Sequence, residues 1–262
     1  MRGATILAGS LALAVAGAPA AAGANDDGAY ETLPAATFRT SLRYEDAPTS
    51  PVATFAMMRT PVTNAQFLAF VEAHPQWRRD RVPRSLADAR YLAHWDSANT
   101  LADPAQSTQP ATQVSWFAAS AYCEAEGARL PTWIEWEYAA AADDRRHDAR
   151  DDPTWRERIL AWYARPSSQA LPGVGAGTAN AFGIHDLHGL VWEWTDDFSS
   201  LLVSEDNRNQ GDADTARFCG AGALSMDDRE NYAVLMRVAM LSSLQASGTT
   251  RNLGFRCARS SR

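Results

Sequence analysis

The sequence predicts an α+β fold with little regular secondary structure, its helices early and its strands late. Three observations carry this. Between Thr60 and Ala164 apolar residues recur at the spacing of one helix face and start from capping residues. Beyond Gly173 the texture changes to short apolar pieces separated by Gly, Asn, Asp and Ser. No composition shift or internal repeat divides the chain, so one domain is expected after an N-terminal leader.

The leader reads Met1, Arg2, an apolar run from Ala4 to Ala16 and the small residues Ala22-Gly23-Ala24. That charge, length and cleavage chemistry describe a secretory signal over residues 1–24, with maturation near Asn25. The apolar run is shorter than the roughly 20 residues a bilayer span needs, and no later segment is long and apolar enough to cross a membrane. The expected product is periplasmic or secreted. Residues 25–55 mix Asp, Gly, Thr and Pro without a sustained period and form an extended lead-in, with one strand expected around Ala36 to Tyr44. The domain proper occupies 56–262.

Thr63 or Asn64 caps a helix through Ala73, because Phe67, Phe70 and Val71 share one face, and His74-Pro75 ends it. Ser115 caps a second helix through Trp116, Ala119, Tyr122 and Cys123 to Gly127, whose free backbone suits a C-terminal cap. Thr132 and Glu135 form a T-x-x-E capping box that opens a third helix with Trp136 and Tyr138. Asp143 to Asp152 is charged throughout and reads as a solvated loop, and Pro153 to Ala164 as another short helix carrying Trp155, Ile159, Leu160 and Trp162. The later apolar pieces are Gly183 to Trp194, Tyr232 to Leu244, and Asn252 to Cys257.

Composition excludes several functions. The 262 residues are 46% hydrophobic with a net charge of −7, which leaves no clustered positive footprint for nucleic acid. All 24 basic residues are arginine, so a Schiff-base lysine, a lysine general base and a Walker-type phosphate lysine are absent. Cys123, Cys219 and Cys257 are few and far apart, which suits one bridge and one leftover thiol rather than a disulfide scaffold or a zinc site. Gly173, Gly175 and Gly177 lack dinucleotide-loop spacing, and there is no G-x-S-x-G elbow or H-E-x-x-H pair.

The segment from His185 to Trp194 gathers two imidazoles and two carboxylates within ten residues. Three readings compete: a transition metal on His185 and His188, calcium on Asp186 and Glu193 with main-chain carbonyls between, or a turn with no ion. Calcium takes six to eight oxygens and accepts carbonyls from a tight loop, whereas the histidine pair has no obvious third ligand. Cys219, flanked by Phe218 and Gly220, has no local histidine or helix start to lower its pKa, so a buried thiol competes with a reactive one.

Five blocks stand in one order: Pro61 to Phe67; Val114-Ser115-Trp116 with Ala121-Tyr122-Cys123; Arg129 to Thr132 with Glu135 to Tyr138; Gly183 to Leu187 with Gly189 and Trp192-Glu193-Trp194; and Asn252 to Cys257. From about Thr60 to Arg259 this order resembles the formylglycine-generating enzyme (sulfatase-modifying factor) family. The resemblance implies a C-type-lectin-like α+β fold and a Cys123–Cys257 disulfide, worth on the order of 4 kcal/mol by chain entropy. A second family bridge falls on Ala140 and Val238, so both halves are missing together. It implies structural calcium on the side chains of Asp186, where the family usually has Asn, and Glu193, and on the carbonyls of Gly189 and Val191.

The family's catalytic cysteine pair, five residues apart, falls on Asp228 and Ala233, while Ser225 matches the serine of the oxygen pocket and Arg237 a family arginine. Without thiolates, cuprous copper has no anchor and cysteine-to-formylglycine conversion is not expected. Phe218 to Arg237 is most similar to the exported pyoverdine-maturation and nitrite-reductase-accessory branch, which lacks the thiol pair. Iron-using relatives draw their histidines from an additional domain, so iron carries over only by analogy. Two functions follow. In one, an oxidoreductase-type maturation factor acts on a peptide-derived small molecule or a partner metalloprotein through Trp192, Ser225, Asp228, Arg237 and Cys219, Asp228 serving as acid or base and Arg237 orienting an anion. In the other, a calcium-stabilised lectin-fold protein binds without catalysis.

Overall fold

The computed structural model describes residues 28–41, 49–163, 170–200 and 232–261. Four short strands come first: β1 (Tyr30–Leu33), β2 (Ala36–Phe38), β3 (Ser50–Val52) and β4 (Phe55–Met58). Then follow α1 (Asn64–Ala73), α2 (Trp116–Ala125), α3 (Trp133–Ala140) and α4 (Pro153–Tyr163). The two-residue strand β5 (Trp192–Glu193), α5 (Tyr232–Ser242), β6 (Leu253–Gly254) and β7 (Ala258–Ser260) complete the order. The fold is α+β, with long ordered connections between small elements.

The expected order of helices early and strands late is corrected. The lead-in supplies β1 to β3, and the apolar piece from Tyr232 is a helix. In that helix Arg237, Val238 and Leu241 are buried, an i, i+1, i+4 pattern that belongs to one helix face. The strands pair over long range. β1, β4 and β7 form an antiparallel sheet in that order, with Tyr30 opposite Met58 and Phe55 opposite Ser260. β2 pairs with β3, and β5 runs parallel to β6 with Glu193 opposite Gly254. Gly254 is required there, since a Cβ would lie 2.7 Å from the Ala111 carbonyl oxygen.

The helix starts follow local chemistry. Thr63 caps α1, and Gln66 returns the bond to form a capping box. Ser115 caps α2, and Gly127 turns out of it at φ +64°. Thr132 and Glu135 form the predicted box on α3, and Glu135 is also held by Arg129 at 2.6 Å. One core packs Phe67 and Phe70 of α1 against Tyr122 of α2 and Phe255, with ring centroids 5.3 to 6.0 Å apart. The Cys123–Cys257 disulfide is formed beside them and closes a separation of 134 residues. A second core packs Leu33, Phe38, Phe55 and Met57 against Trp136, Tyr138 and Ile184.

Residues 143–152 are not simply a solvated loop. Asp143, Ala149 and Arg150 are buried. Asp143 accepts the amides of Arg145 and Arg146 and pairs with the Arg146 guanidinium. Arg150 donates to the Arg39 carbonyl at 2.6 Å, lies over the Phe38 ring and approaches Glu137 at 3.6 Å. Glu137 in turn accepts from the Thr40 hydroxyl and the Ser41 amide. Burial raises the Glu137 carboxyl above its usual range, against the Ser41, Thr40 and Arg150 contacts that lower it. Asp143 and Arg150 turn inward, and Arg150 ties the lead-in to α3.

Candidate active site

The candidate metal residues and Trp192 sit on the connection between α4 and β5 and on that strand, and Arg237 on α5. Asn180 fastens this connection to α3: its side-chain oxygen accepts the Phe182 and Ile184 amides and its amide donates to the Ala139 carbonyl at 2.8 Å. Asp186 adopts φ +62°, a left-handed conformation that Asp tolerates better than most side chains, and Gly189 turns at φ +105°. The turn delivers the chain to β5, where Trp192 and Glu193 are buried.

Glu193 is the centre of the arrangement. It is fully buried, as is Arg256, and the two form a bidentate pair at 2.8 and 2.9 Å. Trp136 Nε1 donates to the same carboxylate at 2.9 Å. Arg256 spends its other donors on the carbonyls of Met58, Arg59 and His185, so every N–H of the guanidinium is used. Sequence reasoning missed this pair. The signal was a lone charge within each apolar block, Val191-Trp192-Glu193-Trp194 and Gly254-Phe255-Arg256-Cys257, since a charge in such a strand must find a counter-charge.

Arg237 packs into the same layer. It is 2% exposed, its guanidinium lies 3.3 Å from the centroid of the Trp136 ring, and it donates to the Glu193 carbonyl at 2.7 Å. It is a buried cation that braces the Glu193 strand. Of the other four candidate catalytic residues, Trp192 is buried with its ring 5.7 Å from that of Trp162 of α4. Cys219, Ser225 and Asp228 lie outside the described residues. Ala140 and Val238, at the positions of the missing second bridge, are both buried.

The histidines are anchored on different elements: His185 Nδ1 lies 2.8 Å from the Gly177 carbonyl and His188 Nε2 2.8 Å from that of Ala140. The His188 ring meets Trp136 and Trp155 edge-on, and this burial pushes its pKa down to about 4. Among the described residues no three His, Cys, Asp or Glu side chains converge as a metal-binding group. A cation at this loop would therefore depend on main-chain oxygens, which suits calcium better than a transition metal. The donor set is compatible: among the described residues Asp186 accepts only the Gly175 amide, and Glu193 Oε1 accepts one bond while Oε2 accepts two. The Gly189 and Val191 carbonyls accept none among the described residues.

Beside this loop is a cleft of about 380 Å³ between α4 and residues 178–189. Trp162 lies over Gly189, where a Cβ would come within 3.9 Å of the indole.

Comparison with known proteins accounts for this scaffold. Residues 15–261 match the sulfatase-modifying factor enzyme 1-like domain. The formylglycine-generating enzyme of Streptomyces coelicolor is 32% identical over 246 residues, covering 78% of this chain and 77% of its own. The hercynine oxygenase of Mycobacterium tuberculosis is 31% identical over 160 residues, covering 55% of this chain and 38% of its own. Among solved structures, CarF aligns with a TM-score of 0.49 at 16% identity over 89% of this chain and 98% of its own. PvdO from Pseudomonas aeruginosa aligns at 0.47 and 20% identity over 88% and 94%. With the family model spanning nearly all of the sequence and a relative 32% identical over most of both chains, the chain belongs to the sulfatase-modifying factor enzyme 1-like family.

Proposed function

We propose that this chain is an exported, oxidoreductase-type maturation factor that acts on a peptide-derived small molecule or on a partner metalloprotein and does not convert cysteine to formylglycine. The carrying observation is a contrast between the scaffold and the sequence. The buried Trp192 and the Glu193–Arg256 pair behind it are built, while the positions the resemblance assigns to the cysteine pair carry Asp228 and Ala233. Chemistry that needs paired thiolates has lost its ligands, whereas the scaffold that positions a substrate against Trp192 is retained. The similarity to an enzyme named an oxygenase supports an oxidative role. Within the site, Asp228 would carry the proton and Ser225 would hold the reacting group, with Cys219 as a further donor. An oxygen-uptake assay against a small-molecule extract tests this. Turnover should be lost in Ser225→Ala and Asp228→Ala, and aldehyde formation on a sulfatase peptide would overturn the reading.

Calcium is proposed as a structural ion on Asp186, Gly189, Val191 and Glu193, where it would brace the loop that carries Trp192. Thermal unfolding should shift upward with calcium over chelator, and the shift should vanish in Asp186→Ala. Export rests on the residue 1–24 signal, and N-terminal sequencing of the mature protein should begin near Asn25.

A second reading is a calcium-stabilised accessory protein that binds without catalysis, supported by the buried bond from Arg237 to the Glu193 carbonyl, a role that serves the scaffold. Tight ligand binding with no product in the same assay would select it.

A further inference from the structure

The cleft beside α4 is lined by one face of that helix. Trp155, Arg158, Ile159 and Trp162 follow i, i+3, i+4, i+7, and all four border it. Its volume of about 380 Å³ lies in the range of small-molecule sites. The rest of the lining carries the carboxylates Asp143, Asp144 and Asp186, and Asp186 accepts the Gly175 amide. Asp143 is neutralised by Arg146. Asp144 meets only the exposed Arg145, at 3.6 Å, and such a contact leaves most of its charge available. Arg158, on the helix wall, has no ion pair among the described residues. The cleft therefore holds an unneutralised cation and a weakly held anion that do not pair with each other, with two indoles beside them.

We propose that this cleft binds a zwitterion of amino-acid size, with Arg158 taking its carboxylate, Asp144 its ammonium group, and the Trp155 and Trp162 indoles its hydrocarbon part. A ligand with a single charge would satisfy one wall and be repelled by the other. Trp162 also touches the Trp192 face, so a ligand held here has its far end beside the candidate active site. That this ligand is part of the substrate rests on the oxidative reading above, while the binding does not.

Intrinsic tryptophan fluorescence and calorimetry on the mature chain, with calcium and after chelation, test the proposal with three probes: L-leucine, 3-methylbutylamine and 4-methylpentanoate. Leucine should saturate and bind at least about tenfold tighter than either single-charge analogue. Arg158→Met should abolish the preference over the amine, and Asp144→Asn the preference over the acid. Both substitutions are at exposed positions and should leave thermal unfolding unchanged. Absence of saturable leucine binding, equal affinity for all three probes, or unchanged discrimination in both variants would overturn the assignment. Leucine binding without turnover counts against the oxidative reading alone, and turnover without leucine binding against the cleft alone.

Discussion

Arg256 shows what a single buried charge requires. All five of its N–H groups are satisfied, and its partner Glu193 is equally enclosed. Such a pair adds little over a well-packed apolar substitute, but breaking it strands a charge in the core. Arg256→Met should therefore lower the unfolding free energy by about 3–5 kcal/mol, and Glu193→Leu with Arg256→Met should recover much of it in urea titrations. His94 gives a second expectation. Burial holds its imidazole below the usual value, opposed by a 3.0 Å contact with Gln113 and reinforced by Arg251 and Arg79. The unfolded chain takes up this proton first as pH falls. The contribution is thus complete above the ordinary histidine value of about 6.5 and is lost as pH drops through the folded one. Urea midpoints should fall between neutral and mildly acidic pH, and by less in His94→Gln.

At the scale of elements, the readable parts of the sequence were those whose causes are local. The Thr132–Glu135 box, the Ser115 cap and the Thr63 start all appear where spacing placed them. Thr132→Ala should cost about 1 kcal/mol, with helix α3 frayed at its first turn in amide hydrogen exchange. What eluded the sequence depends on distant partners. β1 is a strand because β4 lies beside it, and β4 because β7 does. No pattern within Tyr30–Leu33 or Phe55–Met58 encodes that pairing. The Asp143–Asp152 segment likewise reads as a charged surface until Arg39, Phe38 and Glu137 arrive from elsewhere to receive it. The candidate site divides the same way. The loop from Asp186 to Glu193 was visible in its residues, whereas the core role of Arg237 depends on Trp136, 101 positions earlier.

Across the whole molecule, the Cys123–Cys257 bridge joins α2 to the closing segment over 134 residues. In the chain-entropy model its removal, as Cys123→Ser with Cys257→Ser, should reduce stability by about 5 kcal/mol, measurable as a lower urea midpoint that added reductant does not lower further. The same short segment also brings Gly254 against Ala111, Arg256 to Glu193, and Ala258 onto both β4 and Arg129. A chain that has not yet delivered residues 252–260 has an unpaired strand edge, an orphaned carboxylate and a lone thiol. Complete assembly therefore waits for the chain's last stretch, so a nascent chain that has not yet released it holds these elements without their partners.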